Sequence, residues 1–329
     1  MNKKPHRVIL DVDTATGSAG GEHDDALAIL LALNSPEVIL EGVTTGPSNV
    51  DTRTATINSL RILETAGRSD VPVAEGRFDT LLGDGAYLRQ FYDRRANRPH
   101  VAVYWKDWVA PPMPKLKPAK VKAWDLISSK VREHPGEVSL VFVGSLINLA
   151  MAVLTDPEII PMIRQVVHMG GFSDFSYFER IPDRPVNGWL NTDYDPFASA
   201  IVYRSGVRFV QLSADVTQRT TITVEEFQRI VDEGGPAASF IASTAIPWTK
   251  YYQDKRGFNG SCPHDPLAVA FVIDPTLVKT RKMHVHLEKL MAGRFGYFEE
   301  AGSGPEIDFA TEVDVPRFKA MLMERYLRR

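Results

Sequence analysis

The 329-residue sequence is poor in three features, and each scarcity excludes a class of protein. Its single cysteine, Cys262, excludes a disulfide within the chain and a zinc site built from cysteines. Its longest apolar run, residues 26–33, is too short to cross a bilayer. The formal net charge of -3 provides no broad positive field for nucleic acid. We therefore expect neither nucleic acid nor a membrane as a partner.

The start of the chain is basic, but only the apolar residues 8–10 follow before Asp11, whereas a secretory signal needs a longer apolar core. The composition, 44% hydrophobic and 24% charged, is that of an ordinary soluble globular protein. We expect a soluble protein located in the cytoplasm.

Short apolar runs alternate with helical patterns along the chain. Strands are predicted at residues 8–10, 38–45, 71–74, 138–143, 165–169 and 208–212. Helices are predicted from residue 24, at 52–66, 120–133, 146–154, 195–203 and 224–246 with a break at 234–236, from 265, and near 318–327. This alternation predicts an α/β fold with a mostly parallel central sheet flanked by helices. No linker or internal repeat interrupts it, so we predict a single domain over residues 1–329.

Two irregular segments interrupt the alternation, near residues 77–120 and 172–188. Repeated proline at 110–118 prevents a helix there. Loops of this length in a compact domain are usually functional or contact another subunit. Their aromatic residues are candidates for closing over a substrate, namely Trp105, Trp108, Tyr177 and Phe178.

Five aspartates and one histidine carry most of the chemistry that the sequence reveals. Asp11 and Asp13 end the first predicted strand, the pair Asp24-Asp25 opens a helix, and His264-Asp265 opens another. In α/β proteins ligands bind at the carboxyl ends of the strands. Carboxylates gathered there repel each other unless a hard cation such as Ca²⁺ or Mg²⁺ holds them.

Each of these groups also has a purely structural interpretation. Asp24 fits a helix cap, and Asp265 followed by Pro266 fits a cap with proline in the first turn. A lone histidine is more often structural than catalytic, although the imidazole of His264 can transfer protons near neutral pH. For Asp195 followed by Pro196 we keep the capping interpretation.

Taken together, the motifs resemble the inosine-uridine preferring nucleoside hydrolase family, over nearly the whole chain. That family has Asp-x-Asp after a strand and then Asp-Asp-Ala, a Leu-x-Asn-x-Ala segment, Met-Gly-Gly, an asparagine before Asp-Pro, and His-Asp-Pro. The matching positions here are Asp11, Asp13, residues 24–26, 146–150 and 169–171, Asn191 before 195–196, and residues 264–266.

The resemblance implies a Rossmann-like nucleoside hydrolase fold and Ca²⁺-dependent hydrolysis of the N-glycosidic bond of a ribonucleoside, in nucleoside salvage. It implies that the Ca²⁺ ligands are Asp13, Asp25, Asp265 and the main-chain oxygen of Val143. It also implies a homodimer or homotetramer.

The resemblance assigns further roles to individual residues. Asp13 would take a proton from the attacking water, and His264 would protonate or hydrogen-bond the departing base. Asp24 and Asn191 would hold ribose hydroxyls, with Asn49 near the ribose.

Three departures from the family pattern accompany these matches. Residues 14–23 form a longer loop than the family has between its aspartates. Trp189 stands where many members carry a glutamate, so a ribose contact is lost or replaced by stacking. A His-Gly segment of the family is not recognisable in residues 77–100.

The sequence offers only candidates for binding the nucleobase, namely Tyr251, Tyr252, Arg256 and Phe258. Core packing is an equally good interpretation of these residues.

Two rival functions remain open at this point. In a haloacid-dehalogenase-like, Mg²⁺-dependent phosphatase, Asp11 would be the nucleophile and Asp13 the acid, but no later acidic pair fits and His264 is unexplained. The second rival function is that of a relative which binds ribose or a nucleoside without turnover. A Walker-type nucleotide site is excluded because residues 17–21 lack the required lysine.

Overall fold

The strand that carries Asp11 lies inside the sheet, between two parallel neighbours. The computed structural model describes residues 4–83, 99–173, 191–294 and 296–328, and in these ranges nine strands form one sheet. The strands are β1 (His6–Val12), β2 (Val38–Thr45), β3 (Val73–Glu75), β4 (Val138–Phe142), β5 (Gln165–Met169), β6 (Phe209–Leu212), β7 (Val278–Val285), β8 (Phe298–Glu299) and β9 (Glu306–Val313). Their order is β3-β2-β1-β4-β5-β6-β9-β7-β8.

Helices cover both faces of this sheet. They are α1 (Asp24–Leu33), α2 (Thr52–Thr65), α3 (Pro99–Ala102), α4 (Ala123–Glu133), α5 (Ile147–Thr155), α6 (Asn191–Tyr194), α7 (Pro196–Arg204), α8 (Ala214–Thr217), α9 (Val224–Glu233), α10 (Pro236–Arg256), α11 (Pro266–Ile273), α12 (Leu287–Met291) and α13 (Val315–Tyr326). Short 3-10 helices occupy Val103–Trp105, Pro157–Met162 and Pro275–Leu277.

Strand β1 shows why the sheet is buried on both sides. Successive side chains of a strand point to opposite faces. Val8, Leu10 and Val12 join the hydrophobic cluster that contains α1, α10 and α11, whereas Ile9 joins the cluster on the other face. Every residue of the apolar run in β1 is therefore buried, on one face of the sheet or on the other.

The strand order reverses around β1, and that reversal determines where a ligand can bind. β1 pairs in parallel with β2 on one side and with β4 on the other. The connections after β1 and β4 leave towards opposite faces, which opens a crevice at the carboxyl ends of these strands. Asp13 and Val143 come directly after the two strands that border it.

The predicted fold class is confirmed: the protein is a single α/β domain with a mostly parallel sheet flanked by helices. The predicted break at residues 234–236 is also observed, since α9 ends at Glu233 and Pro236 begins α10. The antiparallel pairing of β7 with β8 and β9 was not predicted.

The irregular segments are described only in part. In the first, residues 99–105 form helical turns, and residues 110–118 lack helix and strand as predicted. Of the second segment only residues 172 and 173 lie within the described ranges. No helix among the described residues combines the length and apolarity needed to cross a membrane.

Candidate active site

Three aspartates from distant parts of the sequence meet at the crevice. Asp24 and Asp25 occupy the first turn of α1, and Asp265 is the residue before α11. One carboxylate oxygen from each lies within 4.8 Å of the others, and all three residues are buried. Both helices are strongly apolar and pack in the same core cluster, which holds their amino-terminal ends together.

Asp13 and Val143 lie beside this group. The backbone N–H of Asp13 donates to Asp25 Oδ1 at 2.9 Å, and the backbone N–H of Asn49 donates to Asp13 Oδ2 at 2.8 Å. Gly144 lies so close to Asp13 that a Cβ atom there would be 3.3 Å from the Asp13 nitrogen. The residue after β4 therefore closely approaches the one after β1, which brings the predicted ligands into one neighbourhood.

The electrostatics of the group suit a bound cation. Burial raises the pKa of Asp24, Asp25 and Asp265 well above the usual value, and neighbouring carboxylates raise each pKa further. Burial also raises the pKa of Asp13. Among the described residues no lysine or arginine forms an ion pair with any of these four.

Unsatisfied oxygen atoms support the same conclusion. Asp24 Oδ1 and Asp25 Oδ2 are buried and have no hydrogen-bond partner within the described part of the chain. Buried carboxylate oxygens without partners are costly, and oxygen-only ligand sets suit hard divalent cations. The donor set thus fits a metal ion such as Ca²⁺ or Mg²⁺.

Asp11 has a different environment from the other aspartates. Its Oδ2 accepts hydrogen bonds from Thr44 Oγ1 at 2.6 Å and from Asn148 Nδ2 at 2.8 Å. Burial raises the pKa of Asp11 to about 8, against the lowering effect of these two bonds. Asn148 also donates to the Thr45 carbonyl at 3.0 Å. Asp11 therefore ties β1, β2 and α5 together, and is poorly placed to be a phosphatase nucleophile.

Asn191 reaches the crevice from the next strand connection. Its Nδ2 donates to the carbonyl of Val143 and, at 3.0 Å, to that of Met169. Two hydrogen bonds hold the short helix α6 that carries it. His168 Nε2 and Thr192 Oγ1 are joined by a 3.0 Å hydrogen bond, and Tyr297 donates to Asp193 at 3.1 Å.

His264 faces the same crevice from the other side of Asp265. A 2.6 Å hydrogen bond joins its Nδ1 to Thr217 Oγ1 at the end of α8. Burial lowers the pKa of His264 to about 4, so the imidazole is neutral near pH 7. When Thr217 donates to Nδ1, Nε2 carries the hydrogen and can donate to a substrate.

The aromatic candidates for base binding are mostly packed against one another. Tyr251 and Tyr252 are each 4% exposed and form a cluster with Trp105 and Phe258. The guanidinium of Arg256 stacks over the Tyr252 ring at 4.4 Å. Core packing thus accounts for the two tyrosines and for Trp105. Arg256 also acts on His264: burial is the main cause of the lowered pKa of His264, and the positive charge of Arg256 lowers that pKa further.

Three predicted residues, Trp189, Tyr177 and Phe178, lie outside the described residues. Trp108 is half-buried and lines a surface groove of about 570 Å³ together with Phe240 and Lys250. The sequence interpretation missed Thr217 as the partner of His264. Only the fold brings these residues together, because 47 positions separate them along the chain.

Comparison with known proteins identifies the family. The model of the inosine-uridine preferring nucleoside hydrolases matches residues 8–320. The chain belongs to this family. It is 29% identical to the pyrimidine-specific ribonucleoside hydrolase RihA of Citrobacter koseri, over 92% of this chain and 94% of that protein. It is also 29% identical to the probable uridine nucleosidase 2 of Arabidopsis thaliana, over 98% of this chain and 97% of that protein.

Solved structures of nucleoside hydrolases share the whole fold. A plant nucleoside hydrolase superposes with a TM-score of 0.80 at 27% identity, covering 98% of this chain and 99% of that one. The purine-preferring ribonucleoside hydrolase from Gardnerella vaginalis superposes with a TM-score of 0.78 at 27% identity, and the match covers 98% of both chains.

Family membership decides between the nucleoside hydrolase and the phosphatase. The prediction of a nucleoside hydrolase is confirmed, and the phosphatase alternative is wrong, because the matching family spans nearly the whole chain. Since one relative is named pyrimidine-specific and another purine-preferring, the base is not fixed by membership in the family.

Proposed function

We propose that this nucleoside hydrolase is a Ca²⁺-dependent N-ribohydrolase that converts a ribonucleoside into free base and ribose. The observation that carries the proposal is the buried group of Asp24, Asp25 and Asp265, with unpaired oxygens and no cationic side chain paired to it among the described residues. Asp25 and Asp265 of this group, together with Asp13 and the Val143 carbonyl beside it, would hold the ion, and Asp24 would be left for the sugar. Ca²⁺ is the choice because it accepts several oxygen ligands in flexible geometry, whereas Mg²⁺ demands a near-ideal octahedron.

The bound cation would keep the carboxylates ionised and acidify a water molecule at the site. Asp13 would accept a proton from the attacking water. The backbone N–H of Asn49 at 2.8 Å orients the Asp13 carboxylate for this task. A positioned general base of this kind contributes roughly a hundredfold to ten-thousandfold in rate.

Asp24 and Asn191 hold the sugar. Asp24 Oδ1 is buried without a partner among the described residues, so a ribose hydroxyl can satisfy it. The Asn191 amide, held by the carbonyls of Val143 and Met169, can exchange one of these contacts for a second hydroxyl.

Charge development explains why the site favours hydrolysis at the anomeric carbon. As the N-glycosidic bond breaks, positive charge grows on the ribose ring. Carboxylates fixed around the ring stabilise that charge more than they stabilise the neutral substrate, and such differential binding accelerates the reaction. His264, oriented by Thr217, donates to the departing base.

The bond that breaks can be tested by product analysis in water enriched with heavy oxygen. Hydrolysis predicts free base and free ribose, with the heavy label on the anomeric oxygen of the ribose and none on the base. Formation of a sugar phosphate in phosphate buffer, or label on the base, would contradict the proposal.

The protein is also proposed to act in the cytoplasm and to form a homodimer or homotetramer. Size-exclusion chromatography with light scattering tests the oligomer directly. A monomeric mass at working concentrations would contradict that part of the proposal.

A further inference from the structure

His168 joins two separate strand connections of the site. It lies in β5, and its side chain is fully buried. Its Nδ1 is 3.0 Å from the carbonyl oxygen of Phe142, and its Nε2 is 3.0 Å from Thr192 Oγ1. Phe142 ends β4 immediately before Val143, and Thr192 follows Asn191 in α6. One imidazole ring therefore spans the neighbours of a proposed metal ligand and of a proposed sugar ligand.

The two hydrogen bonds of His168 define its tautomer. A carbonyl oxygen can only accept, so Nδ1 carries the hydrogen and donates to Phe142. Burial lowers the pKa of His168 to about 4, so the ring holds no second hydrogen near pH 7. Nε2 is therefore an acceptor, and the Thr192 hydroxyl donates to it. Turning the ring over would put carbon atoms in place of both nitrogens, so the two bonds select a single orientation.

The contact between His168 and Thr192 is closely packed on both sides. A Cβ atom on Gly170 would lie 2.7 Å from Thr192 Oγ1 and 2.8 Å from His168 Nε2, so glycine at this position lets the two side chains meet. On the other side, Ser199 Oγ donates to the Thr192 carbonyl at 2.7 Å. Thr192 is thus held through its hydroxyl by β5 and through its carbonyl by α7.

The position of Asn191 depends on these contacts, because α6 is too short to be stable alone. The helix has only four residues, and few internal hydrogen bonds offset the cost of forming its first turn. The Asn191 side chain donates to the carbonyls of Val143 and Met169. A displacement of Thr192 would therefore move the Asn191 amide relative to the Val143 carbonyl.

We propose that His168 and Thr192 are positioning residues, which act through Asn191 and fix its amide beside the Val143 carbonyl in the geometry that binds the ribose. The inference rests on the proposed function, in which Asn191 holds a ribose hydroxyl. Neither residue touches the substrate. Their contribution is the placement of the amide, since a misplacement of about 1 Å in an active site can cost roughly a hundredfold in rate.

A double-mutant cycle with Asn191 tests the proposal. Thr192→Val removes the hydroxyl and keeps the branched shape, so His168 Nε2 loses its donor. We expect kcat/KM on a ribonucleoside that the wild-type enzyme hydrolyses to fall roughly tenfold to a hundredfold. In the Asn191→Ala background, where the positioned amide is absent, the same substitution should change kcat/KM by no more than about twofold.

The conservative variant Thr192→Ser tests whether the hydroxyl is the group that matters. It keeps the hydroxyl and loses a methyl group, so it should retain most of the wild-type kcat/KM. Thr192→Ala also lacks the hydroxyl, and it takes the place of Thr192→Val in the cycle if thermal melts show the valine variant unfolded. A loss in Thr192→Ser as large as that in Thr192→Val would contradict the role of the hydroxyl.

Ser139→Ala is the matched control for the loss of a buried hydrogen bond. Gln165 Nε2 donates to Ser139 Oγ at 3.3 Å, between the same two strands, β4 and β5, but at their amino-terminal ends. This variant should leave kcat/KM unchanged. A loss equal to that of Thr192→Val would show that general loosening of the two strands, and not the placement of Asn191, lowers the rate.

The remaining outcomes separate this inference from the proposed function. An equal loss from Thr192→Val in both Asn191 backgrounds, or no loss in the wild-type background, would overturn the positioning role alone. Absence of wild-type turnover with any nucleoside would overturn the proposed function, and this inference with it.

Discussion

At the scale of single residues, the environment of each aspartate separates the reactive groups from the structural one. Asp11 Oδ2 accepts from both Thr44 and Asn148, so Asp11 holds elements together, although its Oδ1 is buried without a partner among the described residues. Asp24 and Asp25 keep oxygens without partners among the described residues, which leaves them ready for a ligand. The distinction is invisible in the sequence, because all of these aspartates follow the same pattern of a polar residue next to an apolar run.

Replacing Asp13 by asparagine tests the proposed general base. Asp13→Asn should lower kcat at least a thousandfold, since an amide cannot take a proton from water. The neutral amide also relieves the repulsion from Asp25, so the thermal melting temperature should be unchanged or higher. A variant with a near-native rate would contradict the role of Asp13.

Replacing His264 by alanine tests the proposed contact with the leaving base. His264→Ala should reduce kcat roughly a hundredfold on nucleosides whose bases need protonation to leave. It should have little effect on a riboside with a nitrophenol leaving group, which departs as a stable anion. A uniform loss across these substrates would show that another group donates to the base.

At the scale of elements, the predictions succeeded where a segment is buried on both faces. Strand β5 matches the predicted bounds and is buried at every position, and β2 also matches them, with its last four residues buried. Short strands were predicted in the tail, but the bounds of β7 were not, since four consecutive residues of it are exposed and its apolar positions are few. This strand is defined by its antiparallel pairing with β9 and β8, which a local pattern does not contain.

The candidate site was also predictable only in part, because its long-range contacts are not contained in a local pattern. Carboxylates at strand ends are visible in the sequence, but partnerships across the fold are not. Thr217 with His264, and Asn58 with the Thr14 carbonyl, depend on where helices pack. Nothing in the local sequence around Thr217 or Asn58 indicates these contacts.

The short helix α6 provides a test of stability against pH. Burial raises the pKa of Asp193 to about 7, while the hydrogen bond from Tyr297 lowers it only partly. A carboxyl whose pKa is raised in the folded state binds its proton more tightly there, so folding loses stability as pH rises from about 4 to about 7. The Asp193→Asn variant has no carboxyl at this position, so its stability should not fall in this way. The free energy of unfolding of the variant minus that of wild type should therefore increase by up to about 3 kcal/mol between about pH 5 and about pH 8.

Denaturant unfolding at the two pH values measures this difference. Asp70→Asn is the control, because Asp70 is exposed and its pKa is lowered by hydrogen bonding to Arg68. It should show no comparable gain at the higher pH. A constant difference between wild type and Asp193→Asn across the range would contradict the raised pKa of Asp193.

At the scale of the whole molecule, the topology explains how residues far apart in sequence form one site. The sheet order places β1 beside β4, and the packing of α1 against α11 brings the two ends of the chain to the same crevice. A cation bound there would connect β1, α1, β4 and α11. Its binding should therefore stabilise the entire fold.

Calcium is expected to raise the melting temperature of the protein. At a free concentration about a hundredfold above Kd, the stabilisation is about 2.7 kcal/mol, enough for a shift of several degrees. Asp265→Asn should remove most of this shift, and Asp70→Asn should retain it. An equal calcium response in all three proteins would place the binding elsewhere.

The most direct measurement of the central claim is the release of reducing sugar by metal-stripped enzyme. Protein treated with a calcium chelator and then freed of it is given a panel of purine and pyrimidine ribonucleosides, with Ca²⁺, with Mg²⁺ or with neither. We predict turnover of at least one nucleoside with Ca²⁺, and loss of nearly all of it without a divalent ion. Undiminished turnover by the stripped enzyme, or activity with Mg²⁺ alone, would contradict calcium-dependent hydrolysis by this group of aspartates.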